Sequence, residues 1–171
     1  MILSKANSIA GTTLVESAIA ACTAALFLGS VFAMNMTAMK TMKTAREASS
    51  ASQVLQQGVE SLRIANWHQI TDANWLQADS RSPLSGNIAG SDSLKQVTET
   101  LTLEPFEGTT TGITQIVRSG GTTQIVSRND SLLTERAVKV ILTVAYNGGV
   151  NSQPTTRQTV AVVAQGGVAK W

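Results

Sequence analysis

A long stretch without charge constrains this chain more than any other feature. From Ser17 to Met39 it reads SAIAACTAALFLGSVFAMNMTAM. A membrane-spanning helix needs about 20 predominantly apolar residues, and this segment supplies them. Ser17, Thr23, Ser30, Asn35 and Thr37 are its polar interruptions. Small side chains let helix backbones approach closely, so Ala20, Ala21, Ala24 and Ala25 suit protein neighbours as well as lipid. One basic residue, Lys5, precedes the segment, and Lys40, Lys43 and Arg46 follow it.

The rest of the 171 residues leave room for one folded head. A net charge of +2 and a charged fraction of 14% are low, and no lysine or arginine stripe forms that could neutralise several phosphates, which argues against nucleic acid as the main partner. The single cysteine, Cys22, lies in the apolar stretch, so no intramolecular disulfide can form, and its chemistry is that of a small apolar residue.

No proline occurs before Pro83, and good helix formers continue from Lys40 to about Leu62, so one long helix is predicted to run beyond the apolar stretch. Ala48, Ser52, Leu55, Val59 and Leu62 recur at spacings of three or four and predict a narrow stripe that packs on a sheet. Gly58, in the same half, marks either a weak point or a close approach. From Ala65 to about Lys95 the text is polar and irregular, with Trp67, Trp75, Pro83 and Gly86, and reads as a connecting loop ordered by its tryptophans.

Strand patterns follow. Val97, Leu101 and Leu103 alternate with threonines; ITQIV and TTQIV flank Ser119-Gly120-Gly121; and AVKVILTVAY leads through Asn147-Gly148-Gly149 to TRQTVAVVAQ. Both glycine pairs are hairpin signals. Five short strands without a helical period between them predict an antiparallel sheet, with Pro154 in the last connection. The fold class is therefore α+β.

The most informative residues for function are Gly11, Thr12, Thr13, Leu14, Val15 and Glu16, directly before the uncharged stretch. A charged residue at the centre of a spanning helix costs about 2.5–3.5 kcal/mol, less at the edge, so Glu16 calls for a partner. Cleavage after Gly11 would place a new amine on Thr12, four residues from Glu16 on the same helix face. The string IAGTTLVESAIA resembles the processing site of type IV prepilins and of type II secretion pseudopilins. Gly11, Thr13, Leu14, Val15 and Glu16 match that pattern, while Thr12 stands where the family often has phenylalanine.

The resemblance implies a leader over 1–11, cleavage between Gly11 and Thr12 by a prepilin peptidase, and N-methylation of Thr12. It further implies a transmembrane and filament-core helix over 12–39 and a periplasmic head over 40–171. In that head the helix continues to about 64, the loop covers 65–95 and the sheet 96–165, in the manner of the pilin fold. Its implied partners are other pilin subunits, an inner-membrane platform protein, an assembly ATPase and, before assembly, membrane lipid. Glu16, with Thr13, Leu14 and Val15, would serve assembly, Glu16 pairing with a neighbour's amine in a bacterial pilus or pseudopilus. A chain without a disulfide and with a long loop fits a minor pilin or pseudopilin better than an abundant one.

Two other readings stay open: a secreted β-rich domain whose signal peptide is cut after Ala33, and a plain single-pass anchored protein. An enzyme lacks ingredients. His68 is the only histidine, and the acids beyond the long helix, Asp72, Asp79, Asp92, Glu99, Glu104, Glu107, Asp130 and Glu135, are scattered without metal-ligand spacing or a D-x-D-x-D-G loop. No cofactor is implied.

Overall fold

The computed structural model describes residues 9–78, 84, 88, 94–107, 112–148 and 153–166, with side chains from Thr13 onward. The chain divides into two compact units, Met1–Met42 and Lys43–Trp171.

Helix α1 spans Ile9–Ile64, 56 residues, and crosses the boundary between the units without a break. In the first unit every described side chain is exposed. A helix of such composition has no core of its own to face, and its apolar side chains remain available to another phase or another molecule. Among the described residues it is the one helix long and apolar enough to cross a membrane.

The second unit is an α+β head. Its sheet has five antiparallel strands: β1 (Lys95–Pro105), β2 (Thr114–Ser119), β3 (Thr122–Ser127), β4 (Ala137–Gly148) and β5 (Gln153–Ala164), in the order β3-β2-β1-β4-β5. Alternation decides which face is buried. Glu99, Leu101 and Leu103 of β1 and Val138, Val140, Leu142, Val144 and Tyr146 of β4 are buried, and the residues between them are only partly so. The period of two thus puts one face against the second half of α1 and leaves the other to solvent.

The helix stripe contains Leu55 and Leu62 as predicted and otherwise falls one residue before the predicted positions. The buried positions are Glu47, Ala51, Val54, Leu55, Gly58 and Leu62, whereas Ala48, Ser52 and Val59 are half-buried. Gly58 is the cause. A Cβ there would lie 2.5 Å from Leu142 Cδ2 and 3.4 Å from Glu99 Oε1, so the helix backbone itself rests on β1 and β4 at this point. The glycine marks a close approach, and a pattern search on apolar side chains skips it because it has none.

The segment from Ala65 onward is not a featureless loop. It contains α2 (Trp67–Thr71) and α3 (Ala73–Ala78). Asn66 caps α2, its side chain accepting from the Gln69 amide at 3.0 Å while Gln69 Oε1 accepts from the Asn66 amide at 2.9 Å. Trp67 and Trp75 pack against the core, and Trp67 Nε1 donates to the Leu133 carbonyl at 3.2 Å. Helices this short lack a readable period, which is why the sequence pattern passes over them. Pro83 and Gly86 lie outside the described residues.

Three strands are longer than expected, at 11, 12 and 12 residues. Pro154 lies inside β5, opposite Asn147, rather than in the preceding connection. Pro154 is the second residue of β5, an edge strand, the place in a sheet where a proline is tolerated. Gly120 and Gly121, with φ of 56° and 78°, form the two-residue turn between β2 and β3, where left-handed backbone is required at both positions.

Candidate membrane and assembly segment

The residues singled out by their sequence fall on the first turns of α1. Gly11 and Thr12 lie within its helical backbone, and Thr13, Leu14, Val15 and Glu16 are exposed on it. Lys5 lies outside the described residues. Leu14, Ile19, Leu26, Phe27, Phe32 and Met39 are among the large apolar side chains that this unit leaves uncovered. Cys22 is a free, exposed thiol on the same helix.

The polar interruptions of the apolar stretch are handled locally. Thr23 Oγ1 donates to the Ile19 carbonyl at 2.8 Å, Ser30 Oγ to Phe27 at 2.7 Å, and Thr37 Oγ1 to Ala33 at 2.9 Å. Ser17 Oγ donates to the carbonyls of Thr13 and Leu14. A hydroxyl that reaches back three or four residues needs no water, so these side chains cost little in an apolar medium. Glu16 and Asn35 have no such route; neither bonds to any described residue. Among the described residues of this apolar stretch and its edge they are side chains without a hydrogen bond or ion pair.

The head holds its charges differently. Glu99 and Arg118 face each other across β1 and β2, both almost wholly buried, with Arg118 Nε donating to Glu99 Oε2 at 3.0 Å and Nη2 donating to the same oxygen. Burial pushes the Glu99 carboxyl above the usual carboxylate range, and the charge and hydrogen bond of Arg118 pull it back. Near the start of the head Glu47 is buried beside Gly148 and Tyr146, with Lys43 Nζ 3.7 Å away. Both acids support the fold. Sequence pattern alone treats Glu99 as one of many scattered acids, although it shares the parity of Leu101 and Leu103 and so was destined for the covered face.

The other acids of the head do not converge. Glu104 pairs with Lys139 at 3.2 Å, and Asp130 with Arg128, which also donates to Asn74. Asp130 and the charge of Asp72 hold the exposed Arg128 guanidinium above its ordinary range. His68 borders a shallow depression with Thr71, Asp72, Arg128, Asp130 and Leu133. Of its neighbours Arg128 pairs with Asp130, and Asp72 accepts from the Asn74 amide at 2.9 Å, and among the described residues no three metal-binding side chains come together. Asp79, Asp92 and Trp171 lie outside the described residues.

Compared with known proteins, the chain matches no family, no curated protein and no solved structure.

Proposed function

We propose that this chain is a type IV pilin-like subunit, a minor pilin or pseudopilin, cleaved after Gly11 and assembled through the first part of α1 into a pilus or secretion pseudopilus. The observation that carries the reading is Glu16: a solitary acid with no partner among the described residues, at the edge of an uncharged, wholly exposed helical stretch. An unpaired carboxylate is costly in an apolar medium, and an amine created at Thr12 would lie close to it in sequence. The rest of the molecule is consistent with that use. A head folded around the second half of the same helix gives each subunit an independent core, so the first half is free to take lipid or neighbouring helices as its surroundings.

Under this reading the platform protein, the assembly ATPase and other subunits are the partners, prepilin peptidase is the processing enzyme, and the head faces the periplasm before assembly. Replacing Glu16 by alanine is the direct test. The Glu16→Ala protein should accumulate in the membrane with a folded head and be incorporated into filaments at least tenfold less than the unaltered chain. Filament incorporation at the normal level would remove the basis of the proposal.

A further inference from the structure

The two edges of the sheet are not built alike. β3 is 6 residues long, and its register with β2 shifts between Gln115 and Ile116. Side chains reach it from outside the sheet as well: Gln77 Nε2 of α3 donates to the Thr123 carbonyl at 3.1 Å, and Thr123 Oγ1 donates to the Leu84 carbonyl at 2.9 Å. Shortness, an irregular register and a covering helix are devices by which proteins keep a sheet edge from pairing with other chains. β5 lacks them. It is 12 residues long and pairs with β4 in unbroken register from Gln153 to Ala164. Pro154 protects only its beginning, and Arg157 is its single charge. Thr155, Thr156, Arg157, Gln158 and Val160 are exposed, and on the open side the backbone from Thr155 to Val163 has no partner among the described residues.

A groove runs between this edge and α1. Leu55, Gln56, Val59 and Glu60 line it from the helix, and Arg157 and Thr159 from the strand. Arg157, Thr159, Ala161 and Val163 stand opposite Val144, Leu142, Val140 and Val138 of β4, all buried, so these four residues of β5 share the helix-facing side of the sheet. A further strand on the open edge would therefore place every second side chain over the groove, against Leu55 and Val59. The charges there are unequally committed. Glu60 is held by Arg63 at 2.9 Å, whereas the side chain of Arg157 has no hydrogen bond or ion pair among the described residues. A carboxylate opposite Arg157 would supply one.

The β5 edge of a second copy does not fit this place. α1 and β5 run in the same direction: Glu47 lies beside Gly148, which pairs with Gln153, and Gly58 lies over Leu142, which pairs with Thr159. Two β5 edges joined antiparallel would set two α1 helices in opposite directions, which copies anchored in one membrane cannot do. Joined in parallel about a two-fold axis, they would bring amide against amide, because parallel strands bond with an offset that such an axis forbids. We infer that the open edge of β5 takes an extended segment of another protein as a sixth strand, with an apolar side chain over Leu55 and Val59 and, two residues away, a carboxylate opposite Arg157. The inference goes beyond the proposed function and needs neither cleavage nor a filament; only the exclusion of a second copy rests on α1 spanning a membrane.

A labelled peptide, acetyl-VKVTVKET-amide, supplies the test. Laid antiparallel along β5, it sets its valines opposite Val163, Ala161 and Thr159 and its glutamate opposite Arg157. Titrated with the full chain in detergent and read by fluorescence anisotropy, it should bind saturably. Arg157→Glu, a change at an exposed position, should weaken binding about threefold, and a peptide with lysine in place of its glutamate should recover the loss on that variant. Only alternate amides of a strand face a given neighbour, so N-methylation of one alternate set in the peptide should abolish binding and of the other set should leave it. The absence of saturable binding, equal losses from the two methylated sets, or an Arg157→Glu chain that binds as well as the unaltered one would overturn the inference. Disulfide-linked dimers of Gln158→Cys in a Cys22→Ala background would do the same, by assigning the edge to a second copy.

Discussion

The two parts of α1 solve opposite problems with one secondary structure. From Thr13 to Met42 the helix exposes every described side chain, carries no charge between Ser17 and Met39, and turns its hydroxyls back onto its own carbonyls. From Lys43 to Ile64 it alternates charged and exposed positions with a buried stripe, and at Gly58 its backbone touches the sheet. Helical hydrogen bonding satisfies the backbone equally in both. What differs is the surrounding each side-chain set has: the second part finds one in its own sheet, and the first, long and apolar enough to cross a membrane, has none within the described residues. A helix can thus be continuous in backbone while its stability has two separate sources.

That contrast can be broken first at the head's buried charges. Arg118→Ala strands the Glu99 carboxylate in the core and should destabilise the head by about 3–5 kcal/mol, measured by denaturant unfolding of the full chain in detergent. The double change Glu99→Leu with Arg118→Met removes both charges together and should recover most of that loss. If the double variant were as unstable as the single one, the pair would be contributing something other than mutual neutralisation.

Next come two leucines of the same helix. Leu62 is 3% exposed, and Leu62→Ala should cost the head about 2–5 kcal/mol. Leu28 is 55% exposed, and Leu28→Ala should shift the same unfolding transition by no more than about 0.5 kcal/mol. Equal effects would mean that the two parts of α1 unfold as a single unit, contrary to the comparison.

A smaller effect than at Leu62 is expected at Gly58. Gly58→Ala gains about 1 kcal/mol of helix propensity, but the new methyl meets Leu142 in a closed core, and overpacking costs about 1–3 kcal/mol. A net loss of about 1 kcal/mol is expected from thermal unfolding. A stabilised variant would show that the contact relaxes by rotation of the Leu142 side chain and that the approach is less tight than the geometry indicates.

Much of the architecture was legible in the sequence because it depends on local pattern. The uncharged stretch, the absence of early proline and the alternation around Leu101 and Leu103 specify a long helix followed by an antiparallel sheet, and that is the fold observed. What escaped depends on partners distant in sequence. The stripe was read correctly at Leu55 and Leu62 and one residue late elsewhere, because its centre is a glycine whose role exists only once β4 lies beneath it. The partnership of Glu99 with Arg118 depends on the pairing register of β1 and β2. The helices Trp67–Thr71 and Ala73–Ala78 are held by a cap and by packed tryptophans rather than by any period. In the apolar segment the situation is reversed. Gly11 to Glu16 stand out in sequence, and the structure adds which polar groups of that helix are already satisfied.

The account centres on processing of the N-terminus, and intact mass with N-terminal sequencing of the protein from cells with and without prepilin peptidase tests it most directly. It predicts a peptidase-dependent N-terminus at Thr12, with or without one added methyl on its amine. An N-terminus at Met34 in both strains, or an uncut chain in both, would contradict it.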